Sequence, residues 1–268
     1  MMIKAADPGF TVWQIGFLRS LVGLLPLAMI LTYRREAFLS LGWPLLCLRG
    51  AWGLLAMVCY FVALRSIPLA DAALLNFSAP VFTSFLAVLV LREKLSRAAL
   101  GWLALAMAGL WVGLRPSWQG STTGYAIGLG AGVFSAAAFV TVKAMAGRES
   151  PWRIVFYFNA VAALALLPAA AATWRQPTLG QAAWLAAISI IGTAGQVCLT
   201  LGYERVRVSS GSVATLLAFV FAAIGGRLFW QEGMDDVKLA GMTAVVVAIV
   251  GLAAARTEPG KGKSEVPA

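Results

Sequence analysis

The chain contains no histidine. That removes the side chain used most often as a general base near neutral pH, and the commonest metal ligand. Acidic residues are scarce, 11 against 21 lysines and arginines in 268 residues, and none lies in the middle of an apolar run. The three cysteines, Cys47, Cys59 and Cys198, sit inside apolar runs with no CxxC spacing, so they indicate neither a disulfide framework nor a zinc site. No metal or cofactor is expected. Charged residues of both signs make up only 12% of the chain, against roughly 25% in soluble domains. Hydrophobic residues make up 60%, more than a soluble protein of this length could hide from water, so the solvent must be lipid. The net charge of +10 raises nucleic acid as a partner, but the basic residues are scattered in ones and twos with no basic stripe. Nucleic-acid binding is therefore not expected, and the charge is read as membrane topology.

What is present is an internal repeat. LADAALLNFSAPVFTSFLAVLVLREKLSRAALGWLALAMAGLWVGL (69–114) is echoed by VSSGSVATLLAFVFAAIGGRLFWQEGMDDVKLAGMTAVVVAIVGLAA from Val208 on. Glu93 matches Glu232 at an offset of 139, and Gly101 matches Gly241 at 140. Self-similarity at half the chain length marks a duplicated unit, and in so apolar a chain it points to a transporter architecture.

Nine runs reach the roughly 20 apolar residues needed to cross a bilayer. They lie at about 14–33, 44–64, 69–91, 98–115, 124–145, 153–173, 181–203, 210–230 and 237–255. Backbone in lipid has no water to bond, so these runs should be helices and the protein all-α. Alternate loops carry 13 and 5 basic residues, which puts the C-terminus in the cytoplasm. The start, MMIKAADPGFTVW, lacks the apolar core of a signal peptide, and RTEPGKGKSEVPA at 256–268 reads as a disordered polar tail.

Setting Ile3-Lys4 on Val142-Lys143 and Pro26 on Pro168 aligns the two halves, and residues 124–141 then have no counterpart in the first. Each complete half would have five helices, an odd number, so the halves should be oppositely oriented. The expected units are 1–116, lacking its first helix, 124–256, and the tail 257–268. A start codon placed too far downstream is the expected reason for the missing helix, with a real truncation second.

FLRSLVGLLPL (17–27), LRGAWGLLAMVCYFVALRSIPLADAALLNFSAPVF (48–82) and LREKLSRAALGWLALAMAGLWVGLRP (91–116) resemble the EamA domain of the drug/metabolite transporter superfamily. Arg19, Arg49, Pro80, Glu93 and Gly101 match that pattern in the first half. The second half is looser, with Phe219 in place of Pro80 and Arg227 in a run that is usually apolar. The resemblance implies a ten-helix secondary transporter in a bacterial inner membrane, multi-pass, moving amino acids, nucleoside-like compounds such as S-adenosylmethionine, or other organic solutes.

Ionisable residues inside membrane runs are costly, about 2.5–3.5 kcal/mol for a central arginine on insertion scales, and so are candidates for function. Arg19 and Arg49 are the main ones, with snorkelling of the side chain to the interface as the alternative. Arg227 is expected to snorkel or to pair with Glu232. Lys143 and Lys4 read as interface anchors, and Glu93 as a local structural residue beside Arg92, Lys94 and Arg97. Asn76 and Ser78, just before Pro80, suggest a kinked helix with freed backbone groups, a place where carriers bind solutes. Trp52, Tyr60, Asn159, Gln196 and Tyr203 offer further hydrogen bonds and ring faces, for a solute or for neighbouring helices. The missing proline makes the second copy look like scaffold. Gly124, Gly128 and Gly132, and Gly109 with Gly113, form small-residue steps that suit packing within the monomer ahead of a homodimer face, which stays open.

The expectation is a carrier of a small organic solute working by alternating access, not an enzyme. The absence of a mid-membrane carboxylate weakens proton antiport. Two rivals remain: a fragment that is inactive or needs a partner, and, less well supported, a membrane-embedded lipid-modifying transferase.

Overall fold

The computed structural model describes residues 10–230 and 234–254. Lys4, Glu232 and the polar tail lie outside the described residues. Eleven helices follow in order: α1 (Val12–Tyr33), α2 (Trp43–Ser66), α3 (Leu69–Asn76), α4 (Ala79–Leu91), α5 (Arg97–Leu114), α6 (Thr122–Met145), α7 (Pro151–Ala172), α8 (Leu179–Arg205), α9 (Val208–Ala214), α10 (Leu217–Trp230) and α11 (Asp236–Ala254). Among the described residues there is no strand. Nine helical segments there are long and apolar enough to cross a membrane, with α3 and α4 forming one and α9 and α10 another. Hydroxyl caps start several of them. Thr11, Ser96, Ser121 and Thr178 accept from the backbone N–H groups of Gln14, Ala99, Gly124 and Gln181.

Two runs are broken at matching places in the two halves, the first at the kink expected beside Pro80 and the second, between α9 and α10, where none was expected. Between α3 and α4 the Ser78 N–H bonds Leu75 O at 3.2 Å, and the Ser78 hydroxyl donates to the same carbonyl at 2.5 Å. Between α9 and α10 the Thr215 N–H and hydroxyl both donate to Ser212 O, at 3.1 and 2.5 Å. In both cases short three-residue bonds replace α-helical ones. Pro80 sits in the first turn of α4, where a missing N–H costs nothing. Phe219 holds the equivalent place in α10, and that helix breaks all the same. Both breaks carry a hydroxyl bonded to the carbonyl three residues back, while a proline follows only the first, where it marks the start of α4.

Repeat-equivalent helices pack on each other, α1 on α7 and α5 on α11. The contact of α2 with α7 is mirrored by that of α1 with α8, the pattern made by a two-fold axis between the halves. The α5–α11 seam is backbone-close, since a Cβ added to Gly241 would lie 2.6 Å from Gly109 O and Gly113 N. Helix α6 covers α2, α3 and α4, and Gly124, Gly128 and Gly132 give it room against Ile67, Leu75 and Ser78.

Polar clasps tie the helix ends. Glu93 has its partners 115 and 116 residues away, not among its basic neighbours. Its carboxylate accepts from Val208 N–H at 3.0 Å and Ser209 Oγ at 2.7 Å, capping α9. Lys143 donates to Tyr203 O at 2.9 Å, at the end of α8. Asp71, which the sequence did not single out, is buried and accepts from Ser117 N–H, Trp118 N–H and the Tyr125 hydroxyl. Gln14 bonds the backbone N–H and carbonyl of Arg175, joining the ends of α1 and α7.

Candidate functional site

Where α1, α2, α7 and α8 meet, the apolar interior gives way to a polar cluster. Arg49, seven residues into α2, has its guanidinium over the Phe158 ring of α7, 4.3 Å from the centroid. Its Nη2 donates to Gln196 Oε1 of α8 at 3.0 Å. Its Nε and Nη1 are buried and have no hydrogen-bond partner. With 3% of its surface exposed, this arginine does not snorkel. Arg19 of α1 reaches the same stretch of α8, where a Cβ added to Gly192 would lie 3.2 Å from its Nε. Gly192 and Gln196 are one turn apart, so the two arginine contacts are spaced about 6 Å along α8.

Small residues make the convergence fit. A side chain at Gly23 of α1 would meet Thr193 Oγ1 and Asn159 Oδ1, so both polar groups pack closely against this glycine. Gly53, one turn beyond Arg49, faces the Phe158 ring and Arg49 Nη1. The Asn159 amide donates to Val155 O at 3.1 Å, which aims its carbonyl oxygen away from its own helix. Among the described residues neither arginine has a carboxylate within 4.0 Å. Burial of a cation in such a place costs several kcal/mol. The Gln196 bond and the ring recover part of that, about 1.5–3 and 0.5–2 kcal/mol.

Of the residues expected from sequence, the structure brings Arg19, Arg49, Asn159 and Gln196 together. The others lie apart. Trp52 stacks on Phe134 of α6 at 5.8 Å. Tyr60 packs with Ala63, Ile67 and Ala72. Tyr203 is buried against Phe139 in a cluster with Leu46, Val140 and Met145. Asn76, Ser78 and Pro80 stand at the α3–α4 break, with Ser78 turned to Leu75 O and packed near Gly132. Arg227 is exposed. Phe158, Thr193, Gly23, Gly53 and Gly192 were not expected. One signal for them existed: Gly53 and Gly192 match at the repeat offset of 139, and each clears space beside a guanidinium.

The arrangement offers cations, amides, a hydroxyl and a ring in a closed, otherwise apolar interior. It offers no nucleophile–base pair, and no metal-holding group of His, Cys, Asp and Glu exists among the described residues. A model of the EamA-like transporter family matches residues 1–114 and again 122–254. The chain belongs to the EamA-like transporter family. A pseudopaline exporter of Pseudomonas aeruginosa is 34% identical over 261 residues, spanning 97% of this chain and 91% of that protein. An S-adenosylmethionine uptake transporter of Rickettsia bellii is 25% identical over 88% of this chain and 81% of its own length. Human solute carrier family 35 member G1 is 26% identical over 90% and 71%. A solved crystal structure shares the fold with a TM-score of 0.82 at 18% identity, covering 96% of this chain and 92% of its own. This EamA-family protein is thus a multi-pass membrane transporter of small metabolites, not an enzyme.

Proposed function

We propose that this transporter carries a polar organic solute through the α1–α2–α7–α8 centre by alternating access. The two EamA units, at about 1–116 and 124–256, would lie inverted in a bacterial inner membrane with the C-terminus in the cytoplasm. The observation that carries the reading is the convergence of Arg19, Arg49, Asn159, Thr193 and Gln196 from four helices on one buried spot. Polar side chains are expensive there and do little for packing that alanine or leucine could not do. Contacts between equivalent helices support a pair of units that rock against each other. The bias of basic residues between alternate loops supports the orientation. The relatives' names include both an exporter and an uptake transporter, so direction follows from the solute gradient imposed in the test.

The test is solute exchange in proteoliposomes loaded with mixed amino acids, nucleosides and organic acids, followed by mass spectrometry. Exchange of a defined solute that falls at least about tenfold in Asn159→Ala, with normal insertion, supports the carrier. Exchange that is absent, or unchanged in that variant, contradicts it. A reporter fused at the C-terminus tests the orientation, and activity only on the periplasmic side would reverse it.

A further inference from the structure

The arginines carry more than the presence of a site. Arg49 is buried and Arg19 half-buried, their contacts on α8 stand about one turn apart, and among the described residues no carboxylate neutralises them. The acidic side chains among the described residues stand elsewhere. Asp71 holds the loop before α6, Glu93 caps α9, Glu149 bonds Arg153 and Ser40, and Asp235 bonds Arg115 at 2.7 Å. Glu36 lies beside Arg34 and Arg153, while Glu204 and Asp236 sit at helix ends. A buried cation with two unpartnered nitrogens is a place set up for an anion that arrives from outside.

We infer that this site takes an organic anion with at least two carboxylates, one for each arginine, an inference that rests on the carrier reading above. Guanidinium groups match carboxylates in shape as well as charge, because a planar fork of N–H donors meets two acceptor oxygens. Arg49 offers two separate unpartnered donors, Nε and Nη1, and Arg19 presents its guanidinium beside Gly192. Asn159 Oδ1 and Thr193 Oγ1, both beside Gly23, would be the neighbouring acceptors for an amine or hydroxyl between the carboxylates. The Phe158 ring gives an apolar wall that suits a carbon skeleton better than a bare inorganic ion. An amine would meet two like charges. A neutral solute would leave both cations unpaired.

The probes are succinate, glutarate, aspartate, glutamate and iminodiacetate, set against glutaramide, 1,5-diaminopentane and inorganic phosphate. The readout is the thermal midpoint of the purified full-length chain in detergent, titrated with each. At least one dicarboxylate should raise the midpoint of the wild type in a saturable way, while the diamide and the diamine leave it unchanged. Arg49→Gln and Arg19→Gln should each weaken that response about 10- to 100-fold. Arg227→Gln, at an exposed arginine away from the site, should leave it within twofold. Arg49→Lys guards against a misfolded variant. It keeps the charge but not the fork, so it should bind several-fold more weakly with a normal unliganded midpoint. No response to any dicarboxylate, an equal response to the diamide or diamine, or a response to phosphate alone would overturn the inference. The carrier reading fails separately. Exchange of a neutral or cationic solute that is lost in Asn159→Ala but intact in Arg49→Gln keeps the carrier and removes the anion.

Discussion

Arg49 on α2 and Ile188 on α8 hold equivalent places in the two halves, 139 residues apart. One is a buried cation and the other a hydrocarbon. With Pro26 set on Pro168, Arg19 of α1 falls on Val161 of α7, the same contrast again. The second half replies with neutral groups: Phe158 and Asn159 on α7, Thr193 and Gln196 on α8. The duplicated scaffold is near-symmetric in its helix contacts but not in its chemistry. Under the proposed mechanism, symmetry in the fold would supply two halves that rock, and the unlike side chains would make one solute site with a charged wall and a neutral wall.

The covering of the two halves differs too. Ala56 and Ala63 on α2 and Ala79 on α4 are buried, and α6 packs on both of these helices. Their equivalents Gly195, Gly202 and Ala218 are exposed, and a Cβ added at Gly195 or Gly202 would meet nothing within 4 Å. Cys59 is half-buried while its equivalent Cys198 is exposed. The same helix surface thus appears once beneath a neighbour and once open to the surroundings.

The strongest way to break the charged-versus-neutral comparison is to erase its charged side. Arg49→Leu should lower solute exchange at least about 100-fold. The same change should raise the thermal midpoint without solute by about 2–4 °C for each kcal/mol of uncompensated charge removed. Loss of exchange together with a lower midpoint would mean that the arginine is structural. Next comes the gap between the walls. Gly23→Val drives a side chain into Thr193 and Asn159, and should cost about 1–3 kcal/mol of stability and at least about tenfold in exchange. Gln196→Leu removes the one acceptor Arg49 has. It should destabilise the unliganded protein by about 1–3 kcal/mol, read as a lower midpoint. The smallest effect concerns covering. In detergent, a maleimide should modify Cys198 several-fold faster than Cys59 in single-cysteine variants. Equal rates would show that both faces are covered alike.

Much of this molecule was legible before its structure. The nine spans among the described residues and the repeat follow from apolar run length and self-similarity. Arg19, Arg49, Asn159 and Gln196 were candidates because polar groups in lipid are expensive. Which candidates converge was not legible. These helices are apolar on nearly every side, so periodicity does not say which face looks inward. Tyr203 and Asn159 read alike in sequence, and only tertiary packing puts one in an apolar cluster and the other beside Gly23. The break after α3 was expected at its proline, but its counterpart after α9 escaped for a related reason. A proline was the visible signal in one copy, whereas hydroxyl bonds, of Ser78 and Thr215, are present at both.

The central claim is that the arginines of the first half and the neutral groups of the second act on one solute. A double-mutant cycle of Arg49→Gln and Asn159→Ala on solute affinity tests it most directly. Groups that share a ligand couple, so the double variant should differ from the sum of the singles by at least about 1 kcal/mol. Additivity within about 0.3–0.5 kcal/mol would place the two residues in separate environments and contradict the account.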